Sequence, residues 1–480
     1  MSTSQTDSKF ETYTRERVAY WDQYAQQLAR WERSRGGYQQ RLKEIFGFVI
    51  PPGMRVLEIG CGAGDQLANL KPAVGVGVDF SASILENARR RYPHLLWIQD
   101  DAHNFDLGET FDYILCSDLV NDLWDVQRVL ENARRHAHRN TKLILNFYSN
   151  LWQGPRSLAE FAGLARPQLP QNWMTREDMA NLLYLAGWDT LRTTQEVLLP
   201  FSFPLLEDLA NRYLVKLWPF QHLGLTNVLI ARPFAEAQPG PEPVVSVIVA
   251  ARNEEGNITD IFNRVPQMGA GTELIFVEGN SKDDTWSAIE REIARRPGYN
   301  ARLYKQSGKG KGDAVRKGFA EATGSVLMIL DADLTVPPED LPRFYETWRS
   351  GKAEFVNGVR LVYPMEEKAM RFFNLIGNKF FSLAFSWLMA QTVKDTLCGT
   401  KVLSKSAYEV IAANRSYFGD FDPFGDFDLI FGAAKYNLKI IDLPVRYRER
   451  IYGETNIQRW RHGLVLLRMV IYALRRLKFV

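Results

Sequence analysis

Short, nearly continuous apolar runs that end in acidic residues or glycine recur along this chain and restrict its fold. In the first half they are MRVLEIG (54–60), VGVGVD (74–79), LLWIQDD (95–101), FDYILCSD (111–118) and TKLILNFYS (141–149). In the second half they are VVSVIVA (244–250), ELIFVEG (273–279), ARLYKQ (301–306) and SVLMILDADL (325–334). Such runs, separated by helical stretches, are typical of parallel strands that are covered on both faces. We therefore predict an α/β fold with two independent parallel sheets.

A proline-rich stretch separates the two sets of runs. Residues 231–243 read ARPFAEAQPGPEP. Proline removes a backbone donor and restricts the residue before it, so neither a helix nor a strand continues through this stretch. We predict a first domain over 1–232, a linker over 233–243 and a second domain over 244–480.

Composition and charge exclude several classes of protein. With 46% apolar and 24% charged residues, the chain is not disordered, collagenous or a coiled coil as a whole. A net charge of +3 gives no support for nucleic-acid binding, and we expect no such partner. Three cysteines without a CxxC motif favour a reducing compartment. The polar N-terminus lacks a signal-peptide core, and no run of about 18 uncharged apolar residues occurs, so we expect a cytoplasmic protein without a transmembrane helix.

A glycine-rich loop follows the first run. It reads Glu58-Ile59-Gly60-Cys61-Gly62-Ala63-Gly64-Asp65. Alternate glycines let the chain turn sharply and bring its backbone against a ligand. Asp79 ends the second run, where it could accept hydrogen bonds from two ribose hydroxyls, and Asp101 ends the third, where it could meet an adenine amino group. A dinucleotide loop would require glycine in place of Asp65.

The loop and the acid after the second run resemble those of class I S-adenosylmethionine-dependent methyltransferases, whose E/DxGxGxG loop matches LEIGCGAG. The resemblance covers roughly residues 50–150 and implies a Rossmann-like sheet with S-adenosylmethionine as cofactor. The residues that it implies for cofactor binding are Glu58, Gly60, Gly62, Gly64, Asp79, Asp101 and Ala102. No catalytic motif follows the fourth run. Asn121 and Asp122 there either line a pocket or cap the next helix, and we favour the cap.

Polar residues also follow four successive runs of the second half. They lie in the segments Ala250-Ala251-Arg252-Asn253-Glu254-Glu255, Glu278-Gly279-Asn280-Ser281-Lys282-Asp283-Asp284-Thr285, Gly308-Lys309-Gly310-Lys311-Gly312-Asp313-Ala314 and Asp331-Ala332-Asp333. The third segment opens a predicted helix over 313–322. Open α/β sheets bind ligands at the carboxyl edge of their strands, so we expect these segments to form one site.

The chemistry of these segments suits the binding of a nucleotide diphosphate with a metal ion. Asp331 and Asp333, one residue apart at a strand end, can hold Mg²⁺ or Mn²⁺, which takes phosphates and waters as its other ligands. A lysine beside glycines, such as Lys309, can neutralise a diphosphate. The metal then stabilises charge on a departing nucleotide.

Residues 244–460 resemble glycosyltransferase family 2 enzymes with the GT-A fold, and among them the dolichol- and polyprenyl-phosphate sugar synthases. The resemblance implies that Ala251, Glu254, Glu278 and Asp283 hold the nucleoside. It places Lys309 at the phosphates, Asp331 at the nucleotide-sugar and the metal, and Asp333 at the metal with a catalytic role. It also implies an acceptor side formed by Arg360, Asp395 and Arg450.

The chain departs from the family pattern at three places. The usual DDGS reads Glu278-Gly279-Asn280-Ser281, which leaves the preference for base and sugar open. Thr335 stands where glutamine is common after the DADL motif, and Thr455-Asn456 replaces a serine and a lysine. For activation of the acceptor, Asp428 is our first candidate and Asp426 the second. Either could instead cap a helix.

Two amphipathic segments suggest a membrane surface. Residues 371–390, RFFNLIGNKFFSLAFSWLMA, have polar residues on one helical stripe, and the last segment carries Arg461, Arg468 and Arg475 at heptad spacing. Arginines at such positions can reach anionic headgroups. The alternative is a pair of helices packed on the domain.

Together these patterns predict a bifunctional enzyme at the cytoplasmic face of a membrane. Its C-terminal half transfers a sugar, with inversion, from a nucleotide-sugar to a polyprenyl-phosphate-like acceptor, and its N-terminal half transfers a methyl group. One alternative is a soluble or glycan acceptor. Another is an N-terminal half that only binds S-adenosylmethionine or serves as a scaffold. Nucleotidyl transfer is remote, because the segment after the run 244–250 is not glycine-rich and basic.

Overall fold

The computed structural model describes residues 3–26, 36–162, 168–200, 205–237, 240–363, 372–417, 425, 427–450, 452 and 459–480. The chain divides into two compact units. One comprises Met1–Phe234 with Phe479–Val480, and the other comprises Ala235–Lys478. The main division therefore falls inside the stretch 233–243. None of the helices in the described part of the chain is long and apolar enough to cross a membrane.

The first unit is built on a seven-stranded sheet. Its strands are β1 (Arg55–Ile59), β2 (Val74–Asp79), β3 (Leu96–Gln99), β4 (Phe111–Cys116), β5 (Ala137–Tyr148), β6 (Trp188–Glu196) and β7 (Thr226–Pro233). They lie in the order β3-β2-β1-β4-β5-β7-β6. The pairs among β1 to β5 are parallel, and β7 runs antiparallel to β5 and β6. All five predicted strands are confirmed, but the sheet is mixed rather than parallel throughout.

The helices of the first unit cover both faces of this sheet. They are α1 (Thr3–Gln26), α2 (Gly36–Val49), α3 (Asp65–Asn69), α4 (Ala82–Arg91), α5 (Val126–Arg135), α6 (Gln153–Phe161) and α7 (Arg176–Leu185). Single helical turns occupy Val120–Asp122, Asn150–Trp152, Leu206–Asp208, Leu209–Tyr213, Leu214–Lys216 and Phe220–His222. Successive strand residues point to opposite faces, so Val56 of β1 packs with Leu42 of α2 while Leu57 packs with Val129 of α5.

The second unit has its own seven-stranded sheet. Its strands are β8 (Val244–Ala251), β9 (Gly271–Glu278), β10 (Ala301–Lys305), β11 (Val326–Asp331), β12 (Phe355–Val359), β13 (Lys401–Ser404) and β14 (Ile440–Pro444). They lie in the order β10-β9-β8-β11-β13-β12-β14. The four predicted strands β8 to β11 pair in parallel, as expected, whereas β13 is antiparallel to β11 and β12.

In the described part of the second unit, eight helices pack on the sheet or beside it. They are α8 (Glu255–Arg264), α9 (Thr285–Arg295), α10 (Lys311–Glu321), α11 (Leu341–Arg349), α12 (Phe372–Met389), α13 (Lys405–Ala413), α14 (Phe427–Lys435) and α15 (Arg459–Ala473). Single helical turns occupy Pro338–Asp340, Arg415–Tyr417 and Leu474–Lys478. Helix α10 begins at Lys311 rather than at the predicted Asp313, because Gly310 with φ 84° supplies the turn before it.

The contact between α10 and β8 is close enough to require glycine. A Cβ added at Gly318 would lie 2.5 Å from Cγ2 of Ile248, which is fully buried. The helical Gly377 of α12, by contrast, has no atom within 4 Å of such a Cβ. Replacement of each glycine by alanine therefore distinguishes the effect of helix propensity, at Gly377, from the effect of packing, at Gly318.

We expect Gly318→Ala to lower the free energy of unfolding by about 1–3 kcal/mol, because overpacking displaces β8 or α10. The control Gly377→Ala should raise it by about 0.5–1 kcal/mol, since alanine favours the helical backbone. Urea unfolding followed by circular dichroism measures both. Stabilisation by Gly318→Ala would contradict the described packing.

Candidate functional sites

A cavity of about 460 Å³ opens at the carboxyl edge of the first sheet. Among the residues that line it are six of the seven predicted cofactor residues: Glu58, Gly60, Gly62, Asp79, Asp101 and Ala102. Gly60 and Gly62 have φ values of 70° and 52°, in the left-handed region that favours glycine. A Cβ at Gly62 would meet no atom within 4 Å, so the loop leaves open space above its backbone. The seventh residue, Gly64, precedes α3, and a Cβ there would overlap the Trp97 ring.

Asp79 ties the glycine loop to the end of β2. Its Oδ2 accepts a hydrogen bond of 2.9 Å from the Gly62 amide, and its Oδ1 accepts one of 2.9 Å from the Ser81 amide. Burial raises the pKa of Asp79, although these two amides oppose the shift. A carboxylate has about four lone-pair positions, so Asp79 retains the capacity to accept further bonds from a ligand.

Two further acids differ in their ionisation. Glu58 is buried, accepts a 3.0 Å hydrogen bond from the Leu67 amide, and has a pKa that burial raises well above its ordinary value. Burial therefore favours the protonated form of Glu58. Burial opposes ionisation of Asp101, but hydrogen bonds from the amide and Nδ1 of His103, at 2.8 and 2.6 Å, outweigh it and lower the pKa.

Helix α1 supplies one wall of the cavity, and two of its side chains donate hydrogen bonds to Asp122. The Trp21 indole donates to Oδ2 of Asp122 at 2.8 Å, and Nε of Arg17 donates to Oδ1 at 3.2 Å. The predicted cap is wrong, because Asp125 caps α5 by accepting from the Arg128 amide at 3.0 Å. Sequence reasoning missed the role of α1, since its partner is about a hundred residues away along the chain.

The glycine cradle and the carboxylates after β2 and β3 fit S-adenosylmethionine. A neutral backbone surface can approach the methionine part, and the carboxylates of Asp79 and Asp101 provide acceptors for the hydroxyl and amino donors of adenosine. Sequence reasoning also missed Asp118, which follows β4 and lines the same cavity.

In the second unit, the loops after β8 and β9 are bonded to each other. The Asn253 amide donates to Oγ of Ser281 at 3.0 Å, and the Lys282 amide donates to Oδ1 of Asn253 at 2.7 Å. The buried Glu278 accepts a 2.5 Å hydrogen bond from the Ser281 amide and so fixes the second loop. The carbonyl of Ala251 accepts from the Gly279 amide at 2.9 Å. The predicted nucleoside residues Ala251 and Glu278 thus form one rigid edge.

Asp283 lies just before α9 and contacts the first residue of α8. Its Oδ2 accepts from the Glu255 amide at 3.3 Å and from the Tyr452 hydroxyl at 3.4 Å. Burial opposes ionisation of Asp283, but hydrogen bonds from Thr285 and Glu255 outweigh it and lower the pKa. The Tyr452 ring lies over Gly256, where a Cβ would overlap it.

Asp331 and Asp333 each carry a cationic partner. The Lys311 ammonium lies 2.5 Å from Oδ1 of Asp331, and Nη2 of Arg450 lies 2.5 Å from Oδ2 of Asp333. The buried Thr335 hydroxyl donates to Oδ1 of Asp333 at 2.8 Å and holds its orientation. Burial opposes ionisation of Asp331, but Lys311 outweighs it and lowers the pKa.

The structure shows where three basic residues of this site lie. Lys309 is exposed in the loop, whereas Lys311, which sequence reasoning did not select, reaches Asp331. Arg450 was assigned to the acceptor side, yet it contacts Asp333. Gly399 was also missed, although a Cβ there would collide with both the Asp331 carboxylate and the Lys311 ammonium.

Glu254 completes this acidic group. It is 8% exposed, and Nδ2 of Asn257 donates to its Oε2 at 2.7 Å. Burial raises the pKa of Glu254 to about 7, and the charges of Asp333 and Asp331 add to the shift.

Carboxylate oxygens at Asp331 and Asp333 are the ligands that Mg²⁺ and Mn²⁺ prefer. In the part of the chain that the structure describes, no three His, Cys, Asp or Glu side chains are grouped as a complete metal site. Two aspartates can hold such an ion when phosphate and water supply its remaining ligands.

The predicted acceptor residues Arg360 and Asp395 form a buried ion pair. Nε and Nη2 of Arg360 lie 2.7 and 2.9 Å from the two Asp395 oxygens, and Asn378 donates to Oδ1 at 3.1 Å. Burial opposes ionisation of Asp395, but Arg360 outweighs it and lowers the pKa to about 2. This geometry suits residues that shape the site, and direct contact with an acceptor stays a prediction.

Asp428 lies in the first turn of α14 and is buried. Its Oδ2 is 3.4 Å from Nε of Arg415 and 3.9 Å from Nη1 of Arg316. Its Oδ1 accepts a 3.0 Å hydrogen bond from the amide of the next residue, Leu429. Asp426, the second candidate, lies outside the described residues. The catalytic role of either aspartate stays a prediction.

Comparisons with known proteins match both halves of the chain. The family model described as methyltransferase domain matches residues 56–140, and the model described as glycosyl transferase family 2 matches residues 246–411. A dolichol-phosphate mannosyltransferase of Pyrococcus furiosus is 28% identical over 220 residues, which cover 45% of this chain and 59% of that protein. An undecaprenyl-phosphate 4-deoxy-4-formamido-L-arabinose transferase of Edwardsiella ictaluri is 24% identical over 237 residues, which cover 48% of this chain and 66% of that protein.

Among solved structures, a SAM-dependent methyltransferase of Thermotoga maritima, described as a possible histamine N-methyltransferase, aligns with 44% of this chain and 98% of its own. It is 18% identical, with a TM-score of 0.34. The chain spans less than two thirds of the length of either curated relative. The family models confirm the prediction that a methyltransferase domain precedes a family 2 glycosyltransferase domain.

The raised pKa of Glu254 predicts a pH-dependent stability. Its folded pKa of about 7 exceeds the ordinary 4.5, so the folded state binds more protons between these values and stability falls as pH rises through this window. In Glu254→Gln this contribution is absent. We expect the wild type to lose stability relative to Glu254→Gln between about pH 4.5 and pH 7, as measured by urea unfolding at several pH values. A constant difference between the two proteins would contradict the shift.

Proposed function

We propose that this chain, in which a methyltransferase domain precedes a family 2 glycosyltransferase domain, is a bifunctional enzyme of sugar and methyl transfer. Its C-terminal domain transfers a sugar, with inversion, from a nucleotide-sugar to a polyprenyl-phosphate-like acceptor in a metal-dependent reaction. Its N-terminal domain transfers a methyl group from S-adenosylmethionine. The observation that carries the proposal is the edge where Asp331, Asp333, Lys311 and Arg450 meet.

The residues of this edge have different roles in binding the nucleotide-sugar donor. The linked loops with Ala251, Glu254, Glu278 and Asp283 hold the nucleoside in a fixed orientation. Mg²⁺ or Mn²⁺ held by Asp331 and Asp333 would stabilise negative charge on the leaving nucleotide diphosphate.

Lysine and arginine near the two aspartates provide further positive charge for the diphosphate. Lys311 and Arg450 are held in place by ion pairs of 2.5 Å and can move their hydrogen bonds to phosphate oxygens when the donor binds. The exposed Lys309 extends this charge at the mouth of the site. Preorganised cations of this kind stabilise a departing anion with little reorganisation.

The charges around Asp428 support a phosphorylated acceptor. Arg316 and Arg415 lie within 4.0 Å of its carboxylate and can hold an anion there. A phosphate acceptor is already anionic, so it needs a weaker base than a sugar hydroxyl does. The names of the relatives from Pyrococcus furiosus and Edwardsiella ictaluri, which specify dolichol phosphate and undecaprenyl phosphate, agree with this acceptor class.

An exposed apolar surface supports access to a lipid-linked acceptor at a membrane. On α12, Phe380 and Leu383 are 57% and 73% exposed, and on α15, Leu464 and Ile471 are 63% and 46% exposed. The two helices contact each other, and α15 buries its other face through residues such as Met469. Arg468 and Arg475 are exposed on the same C-terminal segment. An apolar face flanked by arginines is typical of an interfacial helix.

For sugar transfer, we expect Asp333→Asn to reduce the rate by at least about a hundredfold, because it removes a metal ligand and releases Arg450. Release of nucleotide from a panel of nucleotide-sugars, with a polyprenyl phosphate as acceptor and with Mg²⁺ or Mn²⁺, measures the rate. Asp340→Asn, at the start of α11, is the control. Full activity of Asp333→Asn after chelation and re-addition of metal would refute the metal assignment.

For the cofactor, we expect Asp79→Asn to weaken S-adenosylmethionine binding by at least about tenfold, since each charge-assisted bond to a ribose hydroxyl contributes roughly 1.5–3 kcal/mol. Isothermal titration calorimetry measures the affinity, and Asp333→Asn should leave it unchanged. If the wild-type protein binds no S-adenosylmethionine, the N-terminal domain is a scaffold.

For the membrane, reversal of Arg468 and Arg475 to glutamate removes two attractions of roughly 1 kcal/mol each and adds repulsion. We expect co-sedimentation with anionic vesicles to fall sharply and binding to neutral vesicles to change little. Reversal of the exposed Lys71 and Lys352 is the matched control. Wild-type protein that ignores anionic vesicles would show that α15 serves packing alone.

A further inference from the structure

Asp118 occupies a special position beside the glycine loop of the first unit. It follows β4 directly and has φ 52°, a left-handed conformation that costs free energy in a residue other than glycine. The next residue packs on the loop, because a Cβ at Gly60 would lie 2.6 Å from Cδ1 of Leu119. A strained backbone in a cavity wall is often retained because its side chain has a function there.

The carboxylate of Asp118 is held by buried donors. The Tyr38 hydroxyl and Nδ2 of Asn146 both donate to its Oδ1 at 2.6 Å, and Oδ1 of Asn146 accepts from the Asp118 amide at 3.0 Å. Tyr38 and Asn146 are buried, and Nδ2 of Asn146 also contacts Thr226 at 3.2 Å. Oδ2 lies on the side of Gln39, whose Nε2 is 3.4 Å away, and both Asp118 and Gln39 line the cavity. The side chain is therefore fixed before any ligand enters.

The strand order indicates which part of the cofactor Asp118 would meet. The strands run β3-β2-β1-β4, and the ends of these strands carry Asp101, Asp79, Gly60 and Asp118 in that order. If adenine were held at Asp101 and ribose at Asp79, the sulfonium would lie over β1, and the next group along the edge would be Asp118. A carboxylate there would then lie near the positive sulfur and its methyl group.

We propose that Asp118 is the general base of the methyltransferase domain and that the acceptor is an uncharged hydroxyl group of the kind that a sugar presents. The proposal rests on the methyl-transfer activity proposed above. The acceptor oxygen forms the bond to the methyl carbon with its lone pair, and the electron pair of the carbon–sulfur bond passes to sulfur. The hydroxyl proton passes to Oδ2 of Asp118 and from there to water.

The chemistry of the cavity favours a hydroxyl over other acceptors. An amine is protonated near pH 7, and a carboxylate is a far weaker base than an amine, so it could not free the nitrogen lone pair. A hydroxyl becomes acidic only as the new bond forms, and a carboxylate can then take its proton. An anionic acceptor would be repelled by Asp118, whose carboxylate is held by the neutral donors Tyr38 and Asn146. The cavity wall also includes the rings of Trp21 and Trp124, which suit the C–H faces of a sugar.

Binding of S-adenosylmethionine and of S-adenosylhomocysteine separates the role of Asp118 from a structural one. The two ligands differ by the methyl group and its positive charge. Asparagine tolerates a positive φ, so Asp118→Asn should fold, and thermal unfolding checks this. By calorimetry on the full chain, we expect Asp118→Asn to weaken S-adenosylmethionine at least about fivefold and S-adenosylhomocysteine less than about twofold.

A control and an alternative outcome accompany this measurement. Asp106→Asn, at an exposed acid that pairs with Arg135, should leave both affinities unchanged. An equal loss of both ligands in Asp118→Asn would overturn the proposal, because it indicates a structural role. Failure of the wild type to bind either ligand would instead refute the proposed methyl transfer.

The acceptor class is tested with two small probes in the presence of S-adenosylhomocysteine. Saturation-transfer NMR would use methyl glucopyranoside as the hydroxyl probe and butylamine as the amine probe. We expect a signal from the glucoside that is lost in Asp118→Asn and kept in Asp106→Asn. A signal from butylamine alone, or no signal from the glucoside with the wild type, would overturn the hydroxyl assignment.

Discussion

Parallel pairing of the central strands is the constraint on which both sites depend. In each unit, backbone hydrogen bonds hold four neighbouring strands in parallel, so the segments that follow them emerge at one edge. The first sheet thereby gathers a glycine loop and three acids, and the second gathers four polar segments. The antiparallel strand β7 pairs with β5 in the first sheet, and the antiparallel strand β13 pairs with β11 in the second. Gly399, which precedes β13, lies beside Asp331.

Electrostatic balance at the second edge depends on the fold rather than on neighbours in the sequence. The carboxylates of Asp331 and Asp333 lose hydration at the end of a buried strand, and this desolvation costs free energy unless a cation is close. Lys311 from α10 and Arg450 from the segment after β14 provide those charges. Glu254 has Asn257 as its hydrogen-bond partner, and its pKa rises to about 7 because of burial. The site therefore holds two ion-paired acids, Asp331 and Asp333, beside Glu254, whose pKa is about 7.

The first site uses burial for a different purpose. Burial raises the pKa of Glu58 well above its ordinary value, whereas donors hold the carboxylates of Asp79 and Asp118 in place. The donors to Asp118 come from α2 and β5, which are far apart in the sequence. Preorganisation of this kind lets a group act without a conformational change during reaction.

The sequence by itself determined the local elements and the order of the strand-end motifs. The apolar runs predicted nine of the strands, because such patterns depend on near neighbours in the sequence. The motif LEIGCGAG and the positions of Asp79, Asp331 and Asp333 identified the residues at the ends of these strands. The five remaining strands, β6, β7 and β12 to β14, were not predicted, since their apolar patterns are less continuous.

Only the tertiary structure decided which side chains meet. In the fold, Lys311 rather than Lys309 contacts Asp331, and Arg450 contacts Asp333. Arg360 is buried against Asp395. Tyr38 and Asn146 both donate hydrogen bonds to Asp118. The residues in these contacts are 20 to more than 100 positions apart in the sequence. Tyr38 and Asn146, which also contact each other, are 108 positions apart. A sequence lists such residues without their separations in space, and the packing of helices on the sheets sets those separations.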